Sequence, residues 1–177
     1  DKEIAFIEER IIAGEIIAIG ECGLDGYWVK EETFPEQERV FAALIEKAVT
    51  HKIPLIIHTR KREERAMEML AHYGVELVDF HCYGGKAKPA ILAAEKYGWS
   101  FSIPANAPRS ESFRKLLKDL PLNRILTETD CPYLGPEKGQ RNEPANVVGT
   151  VDLLAELRQI SKEDAKNLVW NNYQSLF

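Results

Sequence analysis

Four side chains in this sequence are of the kinds that hold divalent metals, and each follows a short apolar run. Glu21 follows Ile16-Ile17-Ala18-Ile19-Gly20, and His58 closes Pro54-Leu55-Ile56-Ile57. His81 closes Leu77-Val78-Asp79-Phe80, and Asp130 ends the run that starts at Arg124. Imidazole nitrogens and carboxylate oxygens together are a usual ligand set for Zn²⁺, Mn²⁺ or Mg²⁺. One histidine at a strand end is more often a hydrogen-bonded structural residue, and one Glu before a turn is often a turn residue. The same coincidence at four of five predicted strand ends points to one metal site, with one or two ions.

The elements that must position these residues alternate. Helices are predicted over 3–13, 35–51, 61–73, 87–97 and 110–120, from apolar stripes of helical period. Between them lie apolar, branched runs at 16–20, 54–58, 77–81, 99–103 and 124–130, which read as buried strands. Asn142-Glu143-Pro144 signals the start of a long helix, and Ser161 to Asp164 resembles a capping box opening the last one. Every strand is followed by a helix, and no hairpin signal intervenes. Such alternation requires parallel strands joined by crossovers, an α/β fold in a single domain over 1–177. All four ligand candidates then fall at the carboxyl edge of one sheet, where such folds place their sites.

Alternation along each strand makes further assignments. In 124–130, Leu126, Glu128 and Asp130 share one face, and Pro132 ends the ladder. Glu128 and Asp79 therefore point the same way as Asp130 and His81, either orienting those ligands or forming buried ion pairs. Cys22, Cys82 and Cys131 each follow a ligand candidate and are expected to face the helical layer as small hydrophobes. His51 and His72 fall on helices and are expected to be solvated. Arg60 and Arg141 are placed on loops at the same edge, where a guanidinium can bind an anion such as phosphate.

Composition bounds the function. The chain has 177 residues, 45% hydrophobic and 29% charged, enough for one sizeable core. Its net charge of −5 argues against non-specific clinging to nucleic acid or to anionic membrane. Three cysteines without CxxC spacing fit a reduced compartment, and no apolar run is long enough to span a membrane. A soluble, cytoplasmic protein is expected.

Five segments taken together resemble a known family. Gly-Glu-Cys-Gly-Leu-Asp at 20–25, Ile-Ile-His-Thr-Arg at 56–60, Phe-His-Cys-Tyr at 80–83, Thr-Glu-Thr-Asp-Cys-Pro-Tyr-Leu at 127–134 and Arg-Asn-Glu-Pro-Ala-Asn at 141–146 are similar to TatD-type metal-dependent deoxyribonucleases. The resemblance implies a TIM-barrel-like (β/α) metal-dependent hydrolase fold and phosphodiester hydrolysis of DNA, often from the 3′ end. It implies that Glu21 binds or bridges metal, that His58 and His81 are ligands, and that Asp130 is a ligand or general base. Arg60, Tyr27, Tyr133 and Arg141 would contact phosphate or base.

The chain departs from that family in one respect. It contains no His-x-His, the pair of further ligands that the family carries on its first strand, and it opens on a helix. It reads as the C-terminal two-thirds of a family member, N-terminally incomplete, whose strand near 16–20 would present an open apolar edge prone to self-association. The alternatives are a metal-dependent hydrolase of amides, lactones or phosphoesters, which a lysine at a strand end would favour, and a non-catalytic remnant acting as a binding module.

Overall fold

A computed structural model describes residues 1 to 177. Strands β1 (Ile19–Asp25), β2 (Leu55–Arg60), β3 (Val78–His81), β4 (Ser100–Ile103) and β5 (Ile125–Thr127) form one sheet in sequence order. β1 runs parallel to β2, and β4 runs parallel to β5. Helices α1 (Lys2–Ile12), α2 (Phe34–His51), α3 (Glu63–His72), α4 (Ala87–Tyr97), α5 (Glu111–Asp119), α6 (Val147–Arg158) and α7 (Lys162–Leu176) complete the chain. The strand order never reverses, so each crossover advances the sheet by one strand. That is the winding of a TIM-type barrel and not of a doubly wound sheet. No helix is long and apolar enough to cross a membrane.

The chain divides into two compact units, residues 1–79 with 176–177 and residues 80–175, and the division falls within β3. In the first, α2 lies against β1 and buries Phe41, Leu44, Ile45 and Ala48. Leu24 of β1 and Leu55 and Ile57 of β2 are equally buried. Each such large apolar side chain contributes about 1.5–3 kcal/mol. Gly23 (φ +149°) lets β1 approach β2, since a Cβ there would lie 2.1 Å from the His58 carbonyl oxygen.

In the second unit the core is aromatic. Phe80 stacks on Phe101 at 5.1 Å, and Tyr83 meets both rings edge-on at 5.9 and 5.4 Å. Trp99 is fully buried against Phe80. From α7, buried Asn172 donates to the carbonyls of Leu122 and Ile125, both at 2.8 Å, and so fixes the start of β5.

Three expected boundaries are corrected. The first strand begins at Ile19, not at 16, and Ile17 is exposed, so the apolar run is not buried throughout. β2 continues two residues beyond His58 and ends at Arg60, which is therefore a strand residue and not a loop residue. Asn142 caps no helix. A 3₁₀ turn at Pro144–Asn146 precedes α6, which starts at Val147.

Candidate metal centre

Glu21 does not end its strand as the sequence suggests. It sits inside β1, at an irregularity: Ile19 pairs with Leu55 and Cys22 with Ile57, so β1 carries one residue more than β2 over this span. Such a bulge bends the strand and re-aims a side chain. Here it leaves Glu21 half-exposed with Oε2 3.6 Å from His58 Nδ1. Gly20 belongs to the same irregularity, because a Cβ there would fall 2.5 Å from the Ile56 Cβ.

His81 does end its strand. Its Nδ1 meets Oε2 of Glu128 in a close contact, and the same oxygen accepts a hydrogen bond from Ser102 Oγ at 2.6 Å. His81 Nε2 lies 3.7 Å from Oδ1 of Asp130. Both His81 and Glu128 are largely buried, at 11% and 14% side-chain exposure, so each charge interaction is only weakly screened. With Nδ1 directed at a carboxylate, the tautomer that donates from Nδ1 leaves Nε2 as a lone-pair donor. Metal-ligating histidines are oriented in this way.

Asp130 reaches this position by a route the strand pattern does not foresee. β5 ends at Thr127, and Asp130 has φ +57°. A left-handed residue other than glycine costs about 1–2 kcal/mol, least for Asp and Asn, and persists where its surroundings hold it. Asn142 is that surrounding. Only 1% exposed, it donates through Nδ2 to the carbonyls of Thr129 and Tyr133, both at 2.6 Å. Its own N–H donates to the Pro132 carbonyl at 3.0 Å. Its Oδ1 accepts from the Glu143 N–H at 2.9 Å and from Asn146 Nδ2 at 2.8 Å. The composition of 141–146 marked a motif, but the buried role of its asparagine was not visible there.

Glu21 and His58 of the first unit offer ligand atoms 3.6 Å apart, and His81 and Asp130 of the second offer theirs 3.7 Å apart. Imidazole and carboxylate donors suit a divalent ion, and the buried Oε1 of Glu128, which makes no hydrogen bond, adds acceptor capacity beside His81. The residues present therefore fit a metal.

The other candidates divide. Arg60 Nη1 contacts Asp25 Oδ2 at 3.2 Å and is otherwise half-exposed. Burial pushes the Asp25 carboxyl up, but the N–H groups of Trp28 and Tyr27 and the Arg60 guanidinium outweigh it and hold it below the ordinary range. The turn so fixed presents Tyr27 and Trp28, 55% and 72% exposed and edge-to-face at 4.7 Å, with Lys61 Nζ 4.9 Å over the Tyr27 ring. Trp28 is a surface aromatic that the sequence reading passed over. Tyr133 and Arg141 are both exposed.

Two secondary expectations are corrected. Cys22 is packed against β2, and burial pushes its thiol up to about 12, but Cys131 is exposed because the strand has already ended. His51 is not solvated: its Nε2 lies 3.2 Å from Glu8 Oε1, joining α1 to α2. His72, by contrast, is exposed as expected, with its ring edge-on to Tyr73 at 5.3 Å.

The family model for TatD related DNase matches residues 1–177. The chain belongs to the TatD-related DNase family. It is 35% identical to the human deoxyribonuclease TATDN3 over 92% of this chain and 60% of that protein. It is 32% identical to the metal-dependent hydrolase YabD of Bacillus subtilis over its whole length and 71% of that protein. The TatD homologue YjjV of Escherichia coli superposes with a TM-score of 0.87 at 22% identity, over 98% of this chain and 69% of that one. The fold is thus the TatD fold, and the chain spans 60% of the human relative's length.

Proposed function

We propose that this protein uses one or two divalent ions to hydrolyse phosphodiester bonds of DNA, removing nucleotides from a 3′ end. The observation that supports it most is His81, held by Glu128 at Nδ1 and facing Asp130 with Nε2. Glu21, His58, His81 and Asp130 would hold the metal. Histidine ligands favour Zn²⁺ or Mn²⁺ over Mg²⁺, which prefers an all-oxygen shell. A divalent ion bound there would supply Lewis-acid activation of water and neutralisation of charge on the leaving oxygen.

In this reading the Asp130 carboxylate accepts a proton from the attacking water through Oδ2. The water oxygen bonds to phosphorus, the bond to the leaving sugar oxygen breaks, and that oxygen takes up the proton. Tyr27 and Trp28 stack a base of single-stranded DNA, and Lys61 sits close enough to Tyr27 to approach the neighbouring phosphate. Arg60, Tyr133 and Arg141 contact the backbone further along. These contacts are local, in keeping with a chain of net charge −5.

The test is degradation of single-stranded DNA labelled at either end, with the protein stripped by chelator and then given Mn²⁺, Zn²⁺ or Mg²⁺. Restored shortening from the 3′ end is the expected result. Full degradation in the presence of chelator would contradict it, as would metal-restored hydrolysis of a lactone or amide panel with DNA left intact.

A further inference from the structure

We infer that Asn142 is the positioning residue for Asp130, acting on metal affinity through the backbone on both sides of that carboxylate. The inference rests on the metal-centre reading above. Thr129 and Tyr133 flank Asp130, and one carboxamide NH₂ group donates to the carbonyls of both. The span between those carbonyls is therefore set by a single rigid group. Inside it, the Tyr133 N–H donates to the Asp130 carbonyl at 2.9 Å, which closes the turn around the left-handed residue. Across it, the Asn142 N–H holds the Pro132 carbonyl. Three hydrogen bonds to the backbone on either side of Asp130 thus come from one residue.

The chemistry of the carboxamide is specific. Two donors on one nitrogen and an acceptor on the adjacent oxygen are needed together, because Oδ1 takes the Glu143 N–H and Asn146 Nδ2. Aspartate has the same shape but no donors, and would set carboxylate oxygen against two carbonyl oxygens. Serine or alanine would leave both carbonyls to find other partners in a buried place. Asn146 in turn buttresses Asn142 from the end of the 3₁₀ turn, so the Arg-Asn-Glu-Pro-Ala-Asn segment works as a brace for the segment that bears Asp130.

The same surface segment has a second anchor that does not flank Asp130. Arg109 donates through Nε and Nη2 to the Gly135 carbonyl at 3.2 and 3.0 Å. Loosening the segment there separates a general loss of order from the positioning of one carboxylate.

The experiment measures Mn²⁺ and Zn²⁺ affinity of the purified protein by competition with a chelating dye. It compares wild type with Asn142→Ala, Asn142→Asp, Asp130→Ala, Asn142→Ala/Asp130→Ala and Arg109→Ala, with circular dichroism confirming the fold of each. Asp130→Ala and Asn142→Ala are each expected to weaken binding about 10–100-fold. The double variant is expected to be no weaker than Asp130→Ala, because the asparagine acts only through the aspartate. Arg109→Ala is expected to bind as wild type does. Additive losses in the double variant, or an unchanged affinity in folded Asn142→Asp, would overturn the inference while leaving Asp130 as a ligand. If Asp130→Ala binds as wild type does, the metal-centre reading fails and this inference fails with it. Should Asn142→Ala not fold, the isosteric Asn142→Asp decides.

Discussion

Glu128 grips His81 by Nδ1, and Ser102 Oγ holds the gripping oxygen from the neighbouring strand β4. A histidine fixed in this way has lost its choice of ring orientation, and Nε2 points where a ligand atom is needed. Removal of the grip is expected to weaken metal binding about 10–100-fold in Glu128→Ala with the fold intact. Glu128→Gln should bind better than Glu128→Ala, since its amide oxygen can still accept from Nδ1. Chelator competition measures both, and equal affinity of Glu128→Ala and wild type would remove the proposed orientation.

The turn after β1 makes a separable prediction. Stacking of one base on an exposed aromatic is worth about 1–3 kcal/mol. Trp28→Ala and Tyr27→Ala should therefore each raise KM for single-stranded DNA about tenfold or more, with kcat little changed. Hydrolysis of a small phosphodiester without a base should be untouched. A loss confined to kcat would place these rings in some other role.

Gly23 couples fold to site. A methyl group there would meet the His58 carbonyl oxygen at 2.1 Å, from a backbone conformation that L-residues avoid. Gly23→Ala is expected to destabilise the protein by about 2–4 kcal/mol, read by urea unfolding, and to weaken metal binding because β2 carries His58. An alanine variant as stable as wild type would show that β1 and β2 can part without cost.

Glu38 gives a pH signature. The Arg65 guanidinium, against a smaller effect of burial, and then Arg62 hold its carboxyl down at about 2. The folded value lies below the unfolded one of about 4.3, so its stabilisation is full above the unfolded value and disappears as pH falls towards 2. Partial exposure of the pair to solvent limits it to about 1 kcal/mol. The difference in unfolding free energy between wild type and Glu38→Gln should be constant above pH 5 and close on acidification. A gap that widens with acid would have the wrong sign.

The cysteines differ in reactivity. Burial raises the Cys22 thiol to about 12, whereas Cys131 is exposed. Mass spectrometry after brief alkylation of the native protein at pH 8 should find Cys131 modified and Cys22 spared. Equal labelling would contradict the packing of Cys22 against β2.

Much of this was legible in the sequence because period and composition report burial. The alternation of branched runs with helical stripes located all five strands and seven helices, and His81 ends its strand where the run of apolar residues ends. The less legible features are those set by backbone geometry or by distant partners. The bulge that turns Glu21 depends on how β1 pairs with Leu55 and Ile57 of β2, and no local pattern of Ile16 to Gly20 announces it. Strict alternation placed Asp130 on the same face as Glu128. Both do meet His81, but Asp130 lies beyond the strand end and reaches it through a left-handed backbone held by Asn142, twelve residues further on. An asparagine before Glu-Pro has the local signature of a helix cap. Only the tertiary fold shows that its carboxamide is spent on the carbonyls of Thr129 and Tyr133.

The central claim is tested most directly by the double variant Glu21→Ala/Asp130→Ala. Metal content and 3′-end degradation of single-stranded DNA are measured together, in a protein shown by circular dichroism to be folded. The account predicts that wild type retains a divalent ion and shortens the DNA, and that the double variant does neither. Metal-dependent degradation that survives in the double variant would contradict it, as would a folded wild type that neither binds metal nor degrades DNA.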